Sequence, residues 1–112
     1  KINIMAKLTL TQQPTFAATV KVPVLGGGTE PVEFTFKAKR KTEFSEWLES
    51  LTKQTEEARK DEEIVLGIAS GWDLEEKFDK KNLTELFELY PGSARAIVAA
   101  YIKEYTAAKA GN

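Results

Sequence analysis

Between Phe16 and Lys39 the chain alternates apolar and polar side chains. Phe16, Ala18, Val20, Val22 and Val24 form one set against Thr19 and Lys21, and Val32, Phe34, Phe36 and Ala38 form another against Glu33, Thr35, Lys37 and Lys39. A period of two places each apolar set on one face of a strand. Thr15 to Leu25 and Val32 to Lys39 are therefore expected as a two-stranded hairpin, joined by the loose connection Gly26-Gly27-Gly28. Pro23 has no N–H to give to a ladder, so its strand is expected to be an edge there or to end there. Lys7 to Leu10 is a candidate third short strand.

After Thr42 the period lengthens. Phe44, Trp47, Leu48 and Leu51 fall at i, i+3, i+4 and i+7, the apolar stripe of a helix. Thr42 is its expected N-cap, and Glu43 and Glu46 favour its N-terminal end through the helix dipole. This helix is expected to fade between Glu57 and Lys60. Asp61 is the expected cap of a shorter second helix that turns Ile64, Val65 and Ile68 inward, with Ser70-Gly71 closing it and Gly71 in a left-handed position. Trp72 to Lys80 reads as a loop of mixed polarity. Asp79 then caps a third helix to Tyr90, with Leu83, Leu86, Phe87 and Tyr90 inward. Pro91-Gly92 breaks it, since Pro91 fits the first turn of a new helix. The fourth helix runs from Gly92 or Ser93 to Ala108, with Ile97, Val98, Tyr101, Ile102 and Tyr105 inward. Ala94, Ala96, Ala99 and Ala100 give it faces for close packing. Ala107 to Asn112 is expected to fray.

Strands first and helices afterwards predict an α+β fold, an N-terminal β-hairpin followed by four α-helices. The expected organisation is a single domain over 1–112, with the hairpin at 15–39, the helical part at 42–109, and loose termini at 1–5 and 110–112. Met5-Ala6-Lys7 resembles a natural start, so residues 1–4 read as added or upstream sequence. Hydrophobic residues make up 42% of the 112, enough for one core. No apolar run approaches the roughly 20 residues that span a bilayer, and no signal-peptide pattern is present. With no Cys the chain suits a reducing compartment, and a soluble intracellular protein is the expectation.

Charge is small in sum, −1, but unevenly placed. Residues 1–41 hold seven Lys/Arg and two Glu, whereas residues 42–79 hold twelve Asp/Glu and four Lys/Arg. The basic cluster Lys37, Lys39, Arg40 and Lys41 could touch phosphate, but it reads better as a solvated strand end beside an acidic helix. The helix from Phe44 to Leu51 carries Glu43, Glu46 and Glu49, which phosphates repel, so no nucleic-acid partner is expected.

Chemistry is poorly supported. The chain has neither His nor Cys, and so lacks the commonest general base, soft metal ligands and a thiol nucleophile. Glu56-Glu57, Asp61 with Glu62-Glu63, and Asp73 with Glu75-Glu76 are paired carboxylates in polar surroundings, without a calcium-loop pattern. No Gly-x-Ser-x-Gly elbow occurs, and Gly28 leads into Thr29-Glu30-Pro31 rather than the Gly-Lys-Ser/Thr of a phosphate loop. No catalytic residue, metal or cofactor is expected. Function belongs to surfaces. Trp72 either folds back over the core or stands at a partner surface as a binding hot spot. Phe78, between Lys77 and Asp79, is the better candidate for an exposed apolar residue. Trp72, Leu74 and Phe78 form the candidate partner-binding set.

Taken in order, Lys39-Arg40-Lys41-Thr42 leads into Phe44, Trp47 and Leu48, and an acidic spacer precedes Ile64 to Ile68. Gly71-Trp72-Asp73-Leu74 comes next, then Asn82-Leu83 and Leu86, and finally Tyr90-Pro91-Gly92-Ser93-Ala94 with Ala96-Ile97. This ordered set, with Trp47, Gly71, Asp73, Tyr90, Pro91 and Gly92 as its structural marks, resembles the tail assembly chaperones of long-tailed phages and prophages. The resemblance implies a non-enzymatic protein that binds the tape measure protein, keeps it soluble and helps recruit tail tube subunits. It also implies absence from the mature virion. Members of this family often occur in two lengths through translational frameshifting. Self-association by strand addition at the hairpin edges is a further expectation. Two other classes remain open: a small phage or prophage regulatory protein masking a host factor, and a minor structural tail component.

Overall fold

The computed structural model describes residues 14–53 and 60–110. Strands β1 (Thr15–Pro23) and β2 (Thr29–Lys37) form the expected hairpin, paired antiparallel in one unbroken register from Thr15↔Lys37 to Pro23↔Thr29. All even-numbered positions face one way. On that face Val20, Val22, Val32, Phe34 and Phe36 are buried, while the opposite face is mostly exposed. One covered and one solvated face is the usual economy of an antiparallel sheet. Pro23 lies at the last pair of β1, an outer strand, as its missing N–H requires. The turn is closed by Val24 N–H to Gly28 O (3.2 Å) and Gly27 N–H to Val24 O (3.2 Å). Gly26, Gly27 and Gly28 all have positive φ, between +82° and +102°, a region in which a β-carbon is strained.

The helices are α1 (Lys41–Lys53), α2 (Asp61–Leu66), α3 (Lys80–Leu89) and α4 (Ser93–Ala110). Two expected caps differ from the structure. Thr42 lies inside α1, and the first turn is tied instead by Arg40 N–H to the Glu43 carboxylate (2.8 Å). Glu43 reaches back three residues, which is half of a capping box. Asp61 is the first residue of α2; its N-cap is Lys60, which makes no side-chain cap bond. Asp79 does cap α3, accepting from Asn82 N–H at 2.8 Å. The expected fraying from Ala107 is not seen as far as Ala110, because alanine is the best helix former and α4 continues through it.

The larger correction concerns residues 67–72. The sheet has a third strand, β3 (Ala69–Trp72), in order β1-β2-β3, where the sequence pattern suggests a helix end and a loop. Lys7 to Leu10, the candidate third strand, lies outside the described residues. Gly71 is not left-handed; it pairs with Thr35 in the ladder. Helix α2 stops early, at Leu66, with Gly67 N–H bonding Glu63 O and Ile64 O. Ile68 O then accepts from Lys37 N–H (2.7 Å), and this hands the chain onto the free edge of β2. Pairing of β2 with β3 steps from Thr35↔Gly71 to Phe36↔Ala69, leaving Ser70 as a bulge residue. Without that extra residue Ala69 and Trp72, three apart, would face opposite sides. With it, both lie opposite inward-facing phenylalanines.

The core lies between this sheet and the helices. Val65 and Ile68 from the α2 region, Leu83 and Leu86 from α3, and Ile97 and Tyr101 from α4 meet the buried strand residues. Ile64, Val98, Ile102, Phe87 and Tyr90 are half-buried rather than inside. Helix α1 attaches through rings: Phe44 stacks on Tyr105 at 4.4 Å, and Trp47 stands edge-on to Tyr101 at 5.4 Å.

Candidate partner-binding groove

The Gly71-Trp72-Asp73-Leu74 run turns sharply at the end of β3, and its own side chains hold that turn. Asp73 N–H donates to Glu33 O (3.0 Å), while the Asp73 carboxylate accepts from Glu33 N–H (3.0 Å). This reciprocal pair extends the ladder one residue beyond Trp72, using a side chain in place of the next backbone acceptor. The Trp72 indole N–H then donates to Glu76 O (2.6 Å) and closes residues 72–76 into a tight loop. Asn82 from α3 donates its side-chain amide to Lys77 O (2.7 Å), which ties the loop to the helix after it.

Trp72 folds back over the core without being fully enclosed by it. Its ring stands edge-on to Phe34 at 5.9 Å and to Phe78 at 5.0 Å, and it is half-buried. Phe78 is half-buried too, packed against Trp72 and the core, so it is not the exposed apolar residue that its charged neighbours suggest. Leu74 is half-buried at the same place. Among the described residues the large exposed apolar side chains are Leu25, 81% exposed at the hairpin tip, and Leu89, 56% exposed at the end of α3. Sequence periodicity hides Leu89, because α3 carries two stripes. Leu83, Leu86 and Tyr90 turn to the core, whereas Asn82, Glu85, Leu86 and Leu89 recur at i, i+3, i+4 and i+7 along a second face.

That second face forms one wall of an open groove of about 310 Å³. Its floor is the glycine-loop end of the sheet, lined by the buried Val22 and Val32 and the half-buried Val24. Its other wall is Trp72 and Leu74. The groove brings together two of the three sequence candidates and excludes Phe78, which supports Trp72 from behind. Three carboxylates join the apolar lining: Glu30 from β2, Glu76 from the loop and Glu85 from α3. Glu30 is at an even position of β2 and so lies on the apolar face, opposite Val22. All three are exposed, and none has a cationic partner among the described residues.

The Tyr90-Pro91-Gly92 corner sets the back of this groove. Tyr90 N–H bonds Leu86 O (2.8 Å), Ser93 N–H bonds Tyr90 O (2.9 Å), and the buried Ser93 hydroxyl is directed at Leu86 O. A β-carbon on Gly92 would approach Pro23 Cγ to 3.2 Å, so glycine allows the α3–α4 corner to sit against the end of β1. Trp47 is remote from the groove, on the α1 side. A second concavity, about 760 Å³, lies between α2 and α4. It mixes Ile64, Val98 and Ile102 with Asp61 and Arg95, and is bordered by Leu51 and Asp61, which flank the undescribed 54–59 segment.

One member of the basic cluster has a structural bond through its charged side chain. The Lys37 ammonium donates to Leu66 O (2.8 Å) at the C-terminus of α2, and the Lys39 backbone meets the Tyr105 hydroxyl. No helix among the described residues is long and apolar enough to cross a membrane. Glu62 has its carboxyl held below the ordinary range, chiefly by the Thr84 hydroxyl (2.8 Å). This contact and the Lys80–Glu63 ion pair (2.9 Å) join α2 to α3 at the surface.

Comparison with known proteins adds one finding. Residues 5–112 match the family model described as phage tail assembly chaperone. No curated protein and no solved structure gave a match. The match covers nearly the whole chain, including the Gly-Trp-Asp loop and the Tyr-Pro-Gly corner that build the groove. On that ground the chain belongs to the phage tail assembly chaperone family, whose role is non-enzymatic.

Proposed function

We propose that this chain binds the phage tape measure protein in the host-cell cytoplasm, keeps it soluble and helps recruit tail tube subunits around it. The observation that supports this most is the family match over 5–112, combined with an open, largely apolar groove. A long helical client exposes apolar stripes that aggregate unless covered. Covering them requires apolar surface on the chaperone and enough charge to keep the complex in solution. Of the three sequence candidates, Trp72 and Leu74 are the proposed contact residues, with Phe78 as their support. Weak self-association along the client would match its length, and the outer edge of β1, unpaired among the described residues, is the candidate contact.

The test is co-expression with a phage tape measure protein. A soluble client that co-elutes with this chain is the expected result; precipitation with nothing co-purifying overturns the proposal. Mass spectrometry of purified particles should not detect the chain, and its presence in stoichiometric amounts would make it a structural tail component instead. Sedimentation across a concentration series checks self-association, for which a monomer at every concentration, with and without client, is the contrary outcome.

A further inference from the structure

We propose that the groove between the glycine-loop end of the hairpin and α3 receives an amphipathic helix whose apolar stripe is flanked by lysine or arginine. This rests on the client-binding role proposed above and names the chemistry of the segment that the site selects.

Three features fix the occupant. The floor consists of valine side chains on the face of the sheet, not of a strand edge, so it cannot supply the row of backbone donors and acceptors that an extended peptide needs. A helix satisfies its own backbone and presents only side chains. The walls are apolar, and Leu89 stays 56% exposed on the face turned to the groove, so a partner's apolar anchors gain by covering it. The charge is of one sign: Glu30, Glu76 and Glu85 come from three separate elements, all unpaired among the described residues. Lys21, the nearest cation along β1, is at an odd position and points to the opposite face of the sheet. Glu30 is the most telling of the three, because it occupies a position on the apolar face that the alternation assigns to a hydrophobic residue. A basic flank on the client would meet it there.

The experiment uses the full chain and two synthetic amidated peptides of about 18 residues, long enough to form a helix. Both carry leucine at i, i+3, i+4 and i+7; one has lysines and the other glutamates beside the stripe. The lysine peptide is expected to bind and to shift the amide resonances of Val22, Val24 and residues 72–76 and 82–90. The double variant Glu30→Lys with Glu85→Lys should weaken it about tenfold or more, and Leu89→Ser by a similar factor. All three are exposed positions, so folding should be retained. Glu46→Lys with Glu104→Lys, exposed acids on α1 and α4, should stay within about twofold.

Several results would overturn the assignment: equal binding of the glutamate peptide, equal weakening by the Glu46/Glu104 control, or shifts confined to the Leu51–Ile102 concavity. Groove resonances that move with protein concentration alone would give the site to a second copy of the chain. Repeating the co-expression with the groove variants separates the two levels. If wild type fails to solubilise the tape measure protein, the functional proposal falls. If wild type succeeds and the groove variants succeed equally, only the groove assignment falls.

Discussion

The apolar face of the sheet ends in two different ways. At the Phe16–Phe36 end it is sealed by rings: Phe36 lies 5.2 Å from Tyr101, Phe16 stacks on Tyr101 at 6.1 Å, and Phe44 covers Tyr105. The hydroxyls are used as well as the rings. Tyr101 donates to Lys37 O (2.7 Å) and Tyr105 to Lys39 O (3.0 Å), so α4 holds the carbonyls of the segment linking β2 to α1. At the Val24–Glu30 end Val22 and Val32 are buried too, but with Val24 they line the floor of an open groove beside the exposed Glu30. One end completes its contacts within the chain; at the other an open groove remains between the sheet and α3. The difference arises from what covers each end and from Glu30, which breaks the apolar alternation at the groove end.

Substitutions at the two ends should therefore separate stability from binding. The largest effect is expected for Phe36→Ala, which removes a fully buried ring and should cost about 3–5 kcal/mol in urea denaturation while the truncated site stays well away from the groove. Tyr101→Phe comes next. Losing the hydroxyl leaves the Lys37 carbonyl without that donor, at about 1–3 kcal/mol. Burial, and then the neighbouring Tyr105, push the Tyr101 phenol above the usual tyrosine range. The folded protein thus holds this proton more tightly than the unfolded chain. Its contribution is intact below the unfolded value of about 10 and is lost progressively as the pH rises beyond it. Wild type should lose stability more steeply than Tyr101→Phe above about pH 10, measured by denaturation at stepped alkaline pH.

Asp73→Ala should cost about 1 kcal/mol, because its bond to Glu33 N–H is exposed, yet it should disturb the groove wall. Faster hydrogen exchange at Glu33 and weaker client binding are the expected readouts. The smallest stability effect belongs to Leu89→Ser, within about 0.5 kcal/mol, as for most surface substitutions. Should Leu89→Ser destabilise as much as Phe36→Ala, or Phe36→Ala abolish client binding while the fold survives, the contrast between a sealed end and an open end would collapse.

How much of the fold is legible in the sequence depends on how local its causes are. The hairpin is legible because alternation in Phe16–Val24 and Val32–Ala38 is a property of neighbouring residues. Helix α3 is legible with its Asp79 cap, and the Tyr90-Pro91-Gly92 corner is visible as a break, though its seat against Pro23 is not. Strand β3 is not readable. Four residues, Ala-Ser-Gly-Trp, have no periodicity of their own, and they form a strand only because β2 presents a free edge beside them. The candidate site is half legible. Trp72 and Leu74 stand out through the Gly-Trp-Asp motif, whereas Leu89 belongs to neither expected face of its helix and the charged neighbours of Phe78 disguise its packing.

The amino-acid sequence by itself determined the order of elements, the inward face of each strand, the lack of nucleophilic thiol, imidazole base and soft metal ligand among its residue types, and a family resemblance matched by residues 5–112. Tertiary structure decided the rest. It placed the Ser70 bulge that turns Trp72 to the same face as Phe34, and it brought Glu30, Glu76 and Glu85 from three elements around one apolar cleft. Periodicity reports what one element buries on average. Whether that buried face meets a helix of its own chain or waits for another depends on contacts between residues forty or more positions apart, such as Glu33 with Asp73, which no local pattern records.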